Sequence, residues 1–340
     1  MEEPINVLVL VDFSDAIMEQ FKAVSPRLKF TKKAVKSASE ISGEQWATVD
    51  ILYTGGILPD PDAAPRLRWI QTHSAGVDNV LGQPLLAEED IIITTTSGIH
   101  ATTMAEYTFG MLLALARKIP TMLRHQQKSE WSSERFSLFL PRELRGATLG
   151  ILGYGSIGRE IARLAQAFGM EVLATKRNVM NPAAVNEYTQ PGIGDPEGII
   201  VSRLYPPEAA KSMVSLCDFV VVTIPATPGT KGTIDDEFLA AMKKTAYLVN
   251  IGRGSVVDEE ALVKALQTGQ IAGAALDVFV QEPLPSASPL WKLENVIISP
   301  HIAGNHANYN EASADVFTQN LERYLNKRDL LNLVDRRLGY

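Results

Sequence analysis

The chain has 340 residues, more than a single core usually holds, so two domains are expected. With 46% hydrophobic and 21% charged residues it is neither disordered nor fibrous, and a net charge of −7 excludes a general nucleic-acid binder, which needs a basic face. Cys217 is the one cysteine, which rules out an intramolecular disulfide; followed by Asp218 and FVVV, it reads as a small buried hydrophobe. The opening MEEPINVLVLVD carries no basic leader, and no apolar stretch approaches the roughly 18–20 residues of a membrane span. A soluble, cytoplasmic protein is expected.

In chain order, β-rich apolar runs fall at 5–11, 50–55, 67–73, 91–96, 147–153, 170–176, 218–224, 246–252, 273–279 and 295–300. Several are apolar throughout, as parallel strands covered on both faces should be. Helical patterns lie between them at 156–169, 235–244 and 258–269, the last opening on Asp258 as N-cap and closing at Gly269. Such alternation predicts a doubly wound α/β architecture. Two long helices, 101–120 and 306–329, separate the first four runs from the rest and follow the last run. The expected arrangement is a Rossmann-type nucleotide domain, 103–300, inserted into a smaller flavodoxin-like α/β substrate domain made of 1–102 and 301–340. Small-molecule sites usually lie in clefts between domains. Segment 178–213 is rich in Pro and Gly and weakly periodic; it reads as a long irregular insertion ending in a short helix near Pro206.

The stretch TLGILGYGSIGREIA places Gly153, Gly155 and Gly158 in G-x-G-x-x-G after a strand and at the start of a helix. Gly153 allows the tight turn, Gly155 lets backbone approach a pyrophosphate, and Gly158 lets helix and strand pack closely. Amides near Ser156 and Ile157 then face the phosphates. The alternative is a purely structural glycine turn. An NAD site usually carries an acid about 20 residues further on, to grip the ribose 2′-hydroxyl. Here Lys176 stands eighteen residues after Gly158, and Arg177 follows. Neither accepts a hydrogen bond, and both attract a 2′-phosphate; Thr175 adds a hydroxyl. NADP is therefore favoured and NAD stays possible, with a solvated surface pair as the plain alternative.

Three later segments, VNIGRGSVVDEEAL, ALDVFVQEPLP and VIISPHIAG, each put one polar residue at a strand end: Arg253, Glu282 and His301. In open α/β sheets, ligands bind beyond the carboxyl ends of the strands. Arg253 suits a substrate carboxylate and keto oxygen, His301 a proton donor, and Glu282 the other imidazole nitrogen, favouring the protonated ring. Singly, Arg253 fits a phosphate or its own sheet edge, Glu282 an ordinary turn before Pro283, and His301 a capped loop. Together behind the fingerprint they are more specific.

At these residues the chain resembles the D-isomer-specific 2-hydroxyacid dehydrogenases, a family that includes phosphoglycerate dehydrogenases and glyoxylate/hydroxypyruvate reductases. The likeness spans HSAGVD (73–78), MAEYTFGMLLALARKIP (104–120), LGYGSIGREIA (152–162), VNIGRGSVVDEEAL (249–262), ALDVFVQEPLP (275–285), SPLW (288–291) and SPHIAG (299–304). It implies an Arg-Glu-His catalytic set in Arg253, Glu282 and His301. It also implies that the loop Ser74-Ala75-Gly76-Val77 binds the substrate carboxylate through its amides. Asp277 would meet the nicotinamide carboxamide, Ile251 and Gly252 would line the ring, and Pro225 and Thr230 would border the adenosine. His73 and His100 have no motif role and read as structural. A homodimer through the nucleotide domains is implied as well, with 128–145, including Trp131, Phe136 and Phe139, as part of the contact. No metal is called for.

Some positions depart from the family pattern. Lys176 replaces a frequent acid, Thr223 stands where many members carry His or Cys, and the insertion exceeds the usual length. Glu282 in place of Gln argues against a formate dehydrogenase. The expectation is an NADPH-favouring reductase of a small 2-keto acid such as glyoxylate or hydroxypyruvate. Two rivals are a phosphoglycerate dehydrogenase, for which Arg66, Arg68 and Arg117 are candidate phosphate cations, and a non-catalytic dinucleotide-sensing corepressor-like protein.

Overall fold

A computed structural model of the chain describes residues 3–77 and 82–338. Asp78, the end of the HSAGVD motif, lies outside the described residues. In chain order the elements are β1 (Ile5–Val9), α1 (Asp15–Val24), β2 (Leu28–Lys32), α2 (Gly43–Trp46), β3 (Ile51–Thr54), β4 (Trp69–Thr72), β5 (Ile92–Thr94), α3 (Ala101–Ala116), α4 (Ile119–Gln127), α5 (Arg135–Leu138), β6 (Thr148–Leu152), α6 (Ser156–Ala167), β7 (Glu171–Thr175), β8 (Arg203–Tyr205), α7 (Ala210–Val214), β9 (Phe219–Val222), α8 (Asp236–Ala241), β10 (Tyr247–Asn250), α9 (Glu259–Gln267), β11 (Gly273–Leu276), β12 (Val296–Ile298) and α10 (Tyr309–Leu325). They divide into two compact units, one of residues 1–99, 185–188 and 306–340, the other of 100–184 and 189–305.

The first unit holds a parallel sheet in the order β2-β1-β3-β4-β5, the flavodoxin-like winding. Alternate residues of each strand feed two cores. Val7, Val9, Ile51, Tyr53 and Trp69 meet Phe21 of α1 and Phe317 and Leu321 of α10, while Leu8, Leu52, Ile70 and Ile93 meet Trp46 and Leu67. Both faces are covered, which is why these strands read as unbroken apolar runs. Burying a ring such as Phe317, fully inaccessible here, stabilises the fold by about 1.5–3 kcal/mol.

The second unit has seven parallel strands in the order β12-β11-β10-β9-β6-β7-β8. The winding reverses at β6, whose neighbours are β7 and β9. That reversal is the topological switch point at which doubly wound sheets hold ligands. One face packs on α3 and α6 through Leu149, Ile151, Val221 and Val249; the other packs on α7, α8 and α9 through Leu152, Val220, Leu248 and Leu276. Cys217 is fully buried there, and burial pushes its thiol up to about 12, so it behaves as the expected apolar filler.

Helix ends follow ordinary capping chemistry. Asp258 accepts the Ala261 N–H and caps α9, and Gly269 beyond its end has φ +67°. Four expectations need correction. The long helix of 101–120 ends at Ala116, and α4 begins after Lys118, which has φ 58°. Pro120 explains the break, since it has no N–H to donate to the Ala116 carbonyl, which accepts the Arg142 N–H at 2.9 Å instead, and it is tolerated only in the first turn of α4. The final helix is Tyr309–Leu325, shorter at both ends than expected. β2 and β8 were not legible as apolar runs, because each is an edge strand with exposed residues, LKFTK and RLY. Segment 178–213 therefore contains a strand, β8, before the helical turns that start at Pro207. Among the described residues, no helix is long and apolar enough to cross a membrane.

Candidate active site

Each named residue of the second unit emerges at the carboxyl end of a strand. After β6, Gly153 turns the chain with φ +103°; a Cβ there would meet Thr223 Oγ1 at 2.8 Å. A Cβ on Gly158 would fall 2.2 Å from the Gly153 carbonyl, so helix and strand touch. A Cβ on Gly155 would meet nothing within 4 Å. The open approach lies at the N-cap of α6, a 12-residue helix whose first turn carries Ser156 and Ile157 and whose cap makes no side-chain bond. Tight turn, close packing and an exposed helix start are what a dinucleotide pyrophosphate requires, so these residues fit that group. Thr175 Oγ1 accepts the Gly153 N–H at 3.0 Å and ties the end of β7 to the loop. Lys176 Nζ donates to the carbonyls of Pro182 (3.0 Å) and Ala183 (2.9 Å), while Arg177 is exposed. Thr230 Oγ1 donates to Pro225 O at 2.6 Å, closing the loop after β9.

Arg253 follows β10 between two glycines that admit no side chain. A Cβ on Gly252 would lie 2.7 Å from Ile224 O, and one on Gly254 would lie 1.9 Å from the Phe279 carbonyl carbon. Buried Asn250 holds the same turn, accepting the Gly252 N–H at 3.1 Å and donating to Arg253 O at 3.2 Å. Ile251 beside it is buried. The guanidinium is thus launched from a backbone wedged between the ends of β9 and β11.

His301 Nδ1 lies 2.7 Å from Glu282 Oε2, and Glu282 Oε1 accepts the Phe279 N–H at 2.9 Å. Partial burial alone would push the Glu282 carboxyl up. The His301 hydrogen bond, the Phe279 N–H and the charges of His301 and Arg253 outweigh it and hold the group below the usual carboxylate range. Arg253, Glu282 and His301 therefore share one electrostatic neighbourhood. The imidazole is about half exposed, open to a reactant.

His301 also has φ 53°, a backbone region that few non-glycine residues adopt. Asp277 holds it there. Its carbonyl accepts the His301 N–H at 2.9 Å. Its buried carboxylate accepts Ser299 Oγ (2.6 Å) and the amides of Ile302 (2.9 Å) and Ala303 (2.8 Å). From α3, Tyr107 OH meets Ser299 Oγ at 2.5 Å, and His100 Nδ1 meets Gly304 O at 2.9 Å. Asp277 thus braces the histidine loop, a task beyond the one the resemblance implies. Asn250, Tyr107 and Ser299 were not singled out in the sequence. Their signal is slight: Asn250 and Ser299 each stand a few residues before Arg253 and His301.

Ser74, Ala75 and Gly76 belong to the first unit, beyond β4. Ser74 Oγ donates to Gly76 O at 2.6 Å, and Thr72 Oγ1 donates to Ser74 O at 2.9 Å. His73 behind them pairs Nδ1 with Tyr53 OH at 2.9 Å, and burial lowers its pKa to about 4, so it is a neutral structural ring.

Residues 109–303 match the family model for the D-isomer specific 2-hydroxyacid dehydrogenase NAD binding domain. The chain belongs to the D-isomer specific 2-hydroxyacid dehydrogenase family. It is 37% identical over 261 residues to a glyoxylate reductase of Thermofilum pendens, covering 76% of this chain and 72% of that one. It is also 37% identical over 244 residues to a D-3-phosphoglycerate dehydrogenase of Rattus norvegicus, covering 72% of this chain but 42% of that longer protein. A solved structure of a D-isomer specific 2-hydroxyacid dehydrogenase from Xanthobacter autotrophicus Py2, in complex with NADPH and MES, aligns over all of both chains with TM-score 0.79 and 29% identity. This dehydrogenase is therefore an oxidoreductase that uses a nicotinamide cofactor.

Proposed function

We propose that this dehydrogenase reduces a small 2-keto acid, glyoxylate or hydroxypyruvate, with NADPH favoured over NADH. The observation that carries this reading is the His301–Glu282 pair at 2.7 Å, with the Arg253 charge acting on the same carboxylate. A bound reduced nicotinamide supplies hydride to the keto carbon. Arg253 draws the substrate carboxylate and polarises the keto oxygen, and His301 delivers the proton that this oxygen gains. Glu282 orients the ring and stabilises positive charge on it. The resemblance assigns carboxylate binding to the amides of Ser74 to Gly76 as well. Basic Lys176 and Arg177, where an NAD site carries an acid, support NADPH, as does the NADPH in the Xanthobacter relative.

A phosphorylated substrate finds less support. Arg66 pairs with Asp50 at 3.1 Å, and Arg68 donates to the carbonyls of Pro65 and Leu67, so both serve local structure. NADPH absorbance followed with glyoxylate, hydroxypyruvate, pyruvate and phosphohydroxypyruvate tests the reading. Flat traces throughout would leave a binding protein, and a kcat/KM ratio for NADPH over NADH at or below one would overturn the cofactor preference. A cytoplasmic homodimer completes the proposal. Trp131 is 88% and Phe136 79% exposed in the chain by itself, an apolar surface suited to a second copy. A monomer in sedimentation at micromolar concentration would overturn that part.

A further inference from the structure

Between β7 and β8 the chain runs from Lys176 to Ser202 without helix or strand. It is nevertheless pinned to the fingerprint by buried charge. Arg159 and Glu160, in the first turns of α6, are each 2% exposed, and charged side chains are almost never so buried unless paired. The Arg159 guanidinium stacks on the Tyr154 ring at 4.7 Å and donates to Asp195 O (2.5 Å) and Pro182 O (2.6 Å). Glu160 Oε2 accepts the Gly194 N–H at 2.6 Å. The Asp195 carboxylate, 4% exposed, accepts Tyr154 OH (2.5 Å) and the amides of Gly198 (3.1 Å), Ile199 (3.1 Å) and Ile200 (3.0 Å). A Cβ on Gly198 would lie 2.6 Å from Pro182 O, so the segment also closes tightly on itself.

The Pro182 carbonyl takes hydrogens from two cations, Arg159 Nη2 and Lys176 Nζ, and Lys176 also reaches Ala183 O. The two carbonyls fix the direction of the ammonium. A lysine that grips a phosphate from solution loses rotamer freedom on binding; one already held has lost it on folding.

We infer that the 178–202 insertion is a specificity element for the cofactor, and that Asp195 is its positioning residue. Through Tyr154 and Arg159 it fixes the insertion, whose Pro182 and Ala183 carbonyls hold the Lys176 ammonium at the end of β7, where a ribose 2′-phosphate lies in this fold. This inference rests on the proposed NADPH preference and extends it to residues outside the basic pair, which act through Lys176.

The test is direct binding, from the fluorescence of NADPH and NADH titrated into the full-length chain and into Tyr154→Phe, Asp195→Asn and Lys176→Met. Tyr154→Phe keeps the ring under Arg159 and removes only the hydroxyl, so it decides the matter should Asp195→Asn fail to fold. Each variant is expected to raise the NADPH Kd about tenfold and to leave the NADH Kd within about twofold. Lys176→Met combined with Tyr154→Phe is expected to lose little more than Lys176→Met by itself, since both act through one ammonium. Equal weakening of both cofactors, or unchanged NADPH binding in Tyr154→Phe, would overturn the inference even where the wild type prefers NADPH. A wild type that binds the two alike would instead remove the preference on which it stands.

Discussion

The Glu282 carboxylate reaches His301 Nδ1 at 2.7 Å from the loop after β11, and its other oxygen is fastened to the Phe279 amide. The brace is anchored in backbone and cannot swing away without breaking a second bond. Replacing His301 by Ala is expected to lower kcat by about 10²- to 10⁴-fold, the usual reach of general acid catalysis. NADPH affinity should stay within about threefold of wild type. Turnover within a few-fold of wild type would refute the proton-donor role.

Glu282→Gln removes the charge and keeps the shape. The wild-type carboxyl titrates below its ordinary value, so its charge is present above that value and is lost as pH falls through the lowered one. A wild-type kcat/KM advantage of about 10- to 100-fold is expected to hold above about pH 5 and to shrink towards acid. A ratio that stays flat down to the acid limit of the enzyme would show that Glu282 acts by shape and not by charge.

Asp277 takes three hydrogens on its carboxylate, from Ser299, Ile302 and Ala303, and keeps His301 at its positive φ. Asp277→Ala strands those donors. The expected cost is about 3 kcal/mol of stability, with amide exchange at Ile302 and Ala303 faster than in wild type while that of the sheet is unchanged. Exchange at the wild-type rate there would mean that the loop is held by other contacts.

Gly254→Ala brings a methyl group to 1.9 Å from the Phe279 carbonyl carbon, where backbone, not a flexible side chain, must yield. Destabilisation of about 1–3 kcal/mol and a raised KM for the keto acid are expected, because Arg253 is displaced with the turn. Denaturant unfolding and steady-state kinetics measure the two; an unchanged KM would show that Arg253 does not anchor the substrate.

Asp218 sets acid stability. Burial alone would raise its carboxyl, but Lys243 at 2.8 Å, the Thr148 amide at 2.9 Å and Arg142 at 2.6 Å hold it below the ordinary value. A depressed carboxylate stabilises the fold above its unfolded value, and the effect is lost as pH falls through the folded one. Asp218→Asn is therefore expected to lower the denaturation midpoint at neutral pH, with the gap to wild type closing below about pH 4. A gap that widens towards acid would contradict the assignment.

Ten strands were legible from apolar runs, most of them because parallel strands buried on both faces have no polar alternation to confuse them, and the edge strands β5 and β12 because they keep the apolar runs IIT and VII. β2 and β8 were not, since an edge strand such as LKFTK has one neighbour and keeps polar side chains in water. Gly153 and Gly158 were legible because backbone geometry leaves no room for another residue type there, and Gly155 because it completes the G-x-G-x-x-G spacing that lets backbone approach a pyrophosphate. The work of Tyr154, Arg159 and Asp195 was not, since Asp195 lies 36 residues from Arg159 and meets it only when the insertion folds back.

Residue type and spacing along the chain were enough to assign the doubly wound class and to single out the glycine loop and Arg253, Glu282 and His301 as candidates, because those depend on local turns and strand ends. Which oxygen braces which nitrogen, how Asp277 pins a left-handed histidine, and why Lys176 leans on Pro182 were decided by tertiary contact. Hydrogen bonds are matters of tenths of an ångström between residues far apart in sequence, and no periodicity encodes them.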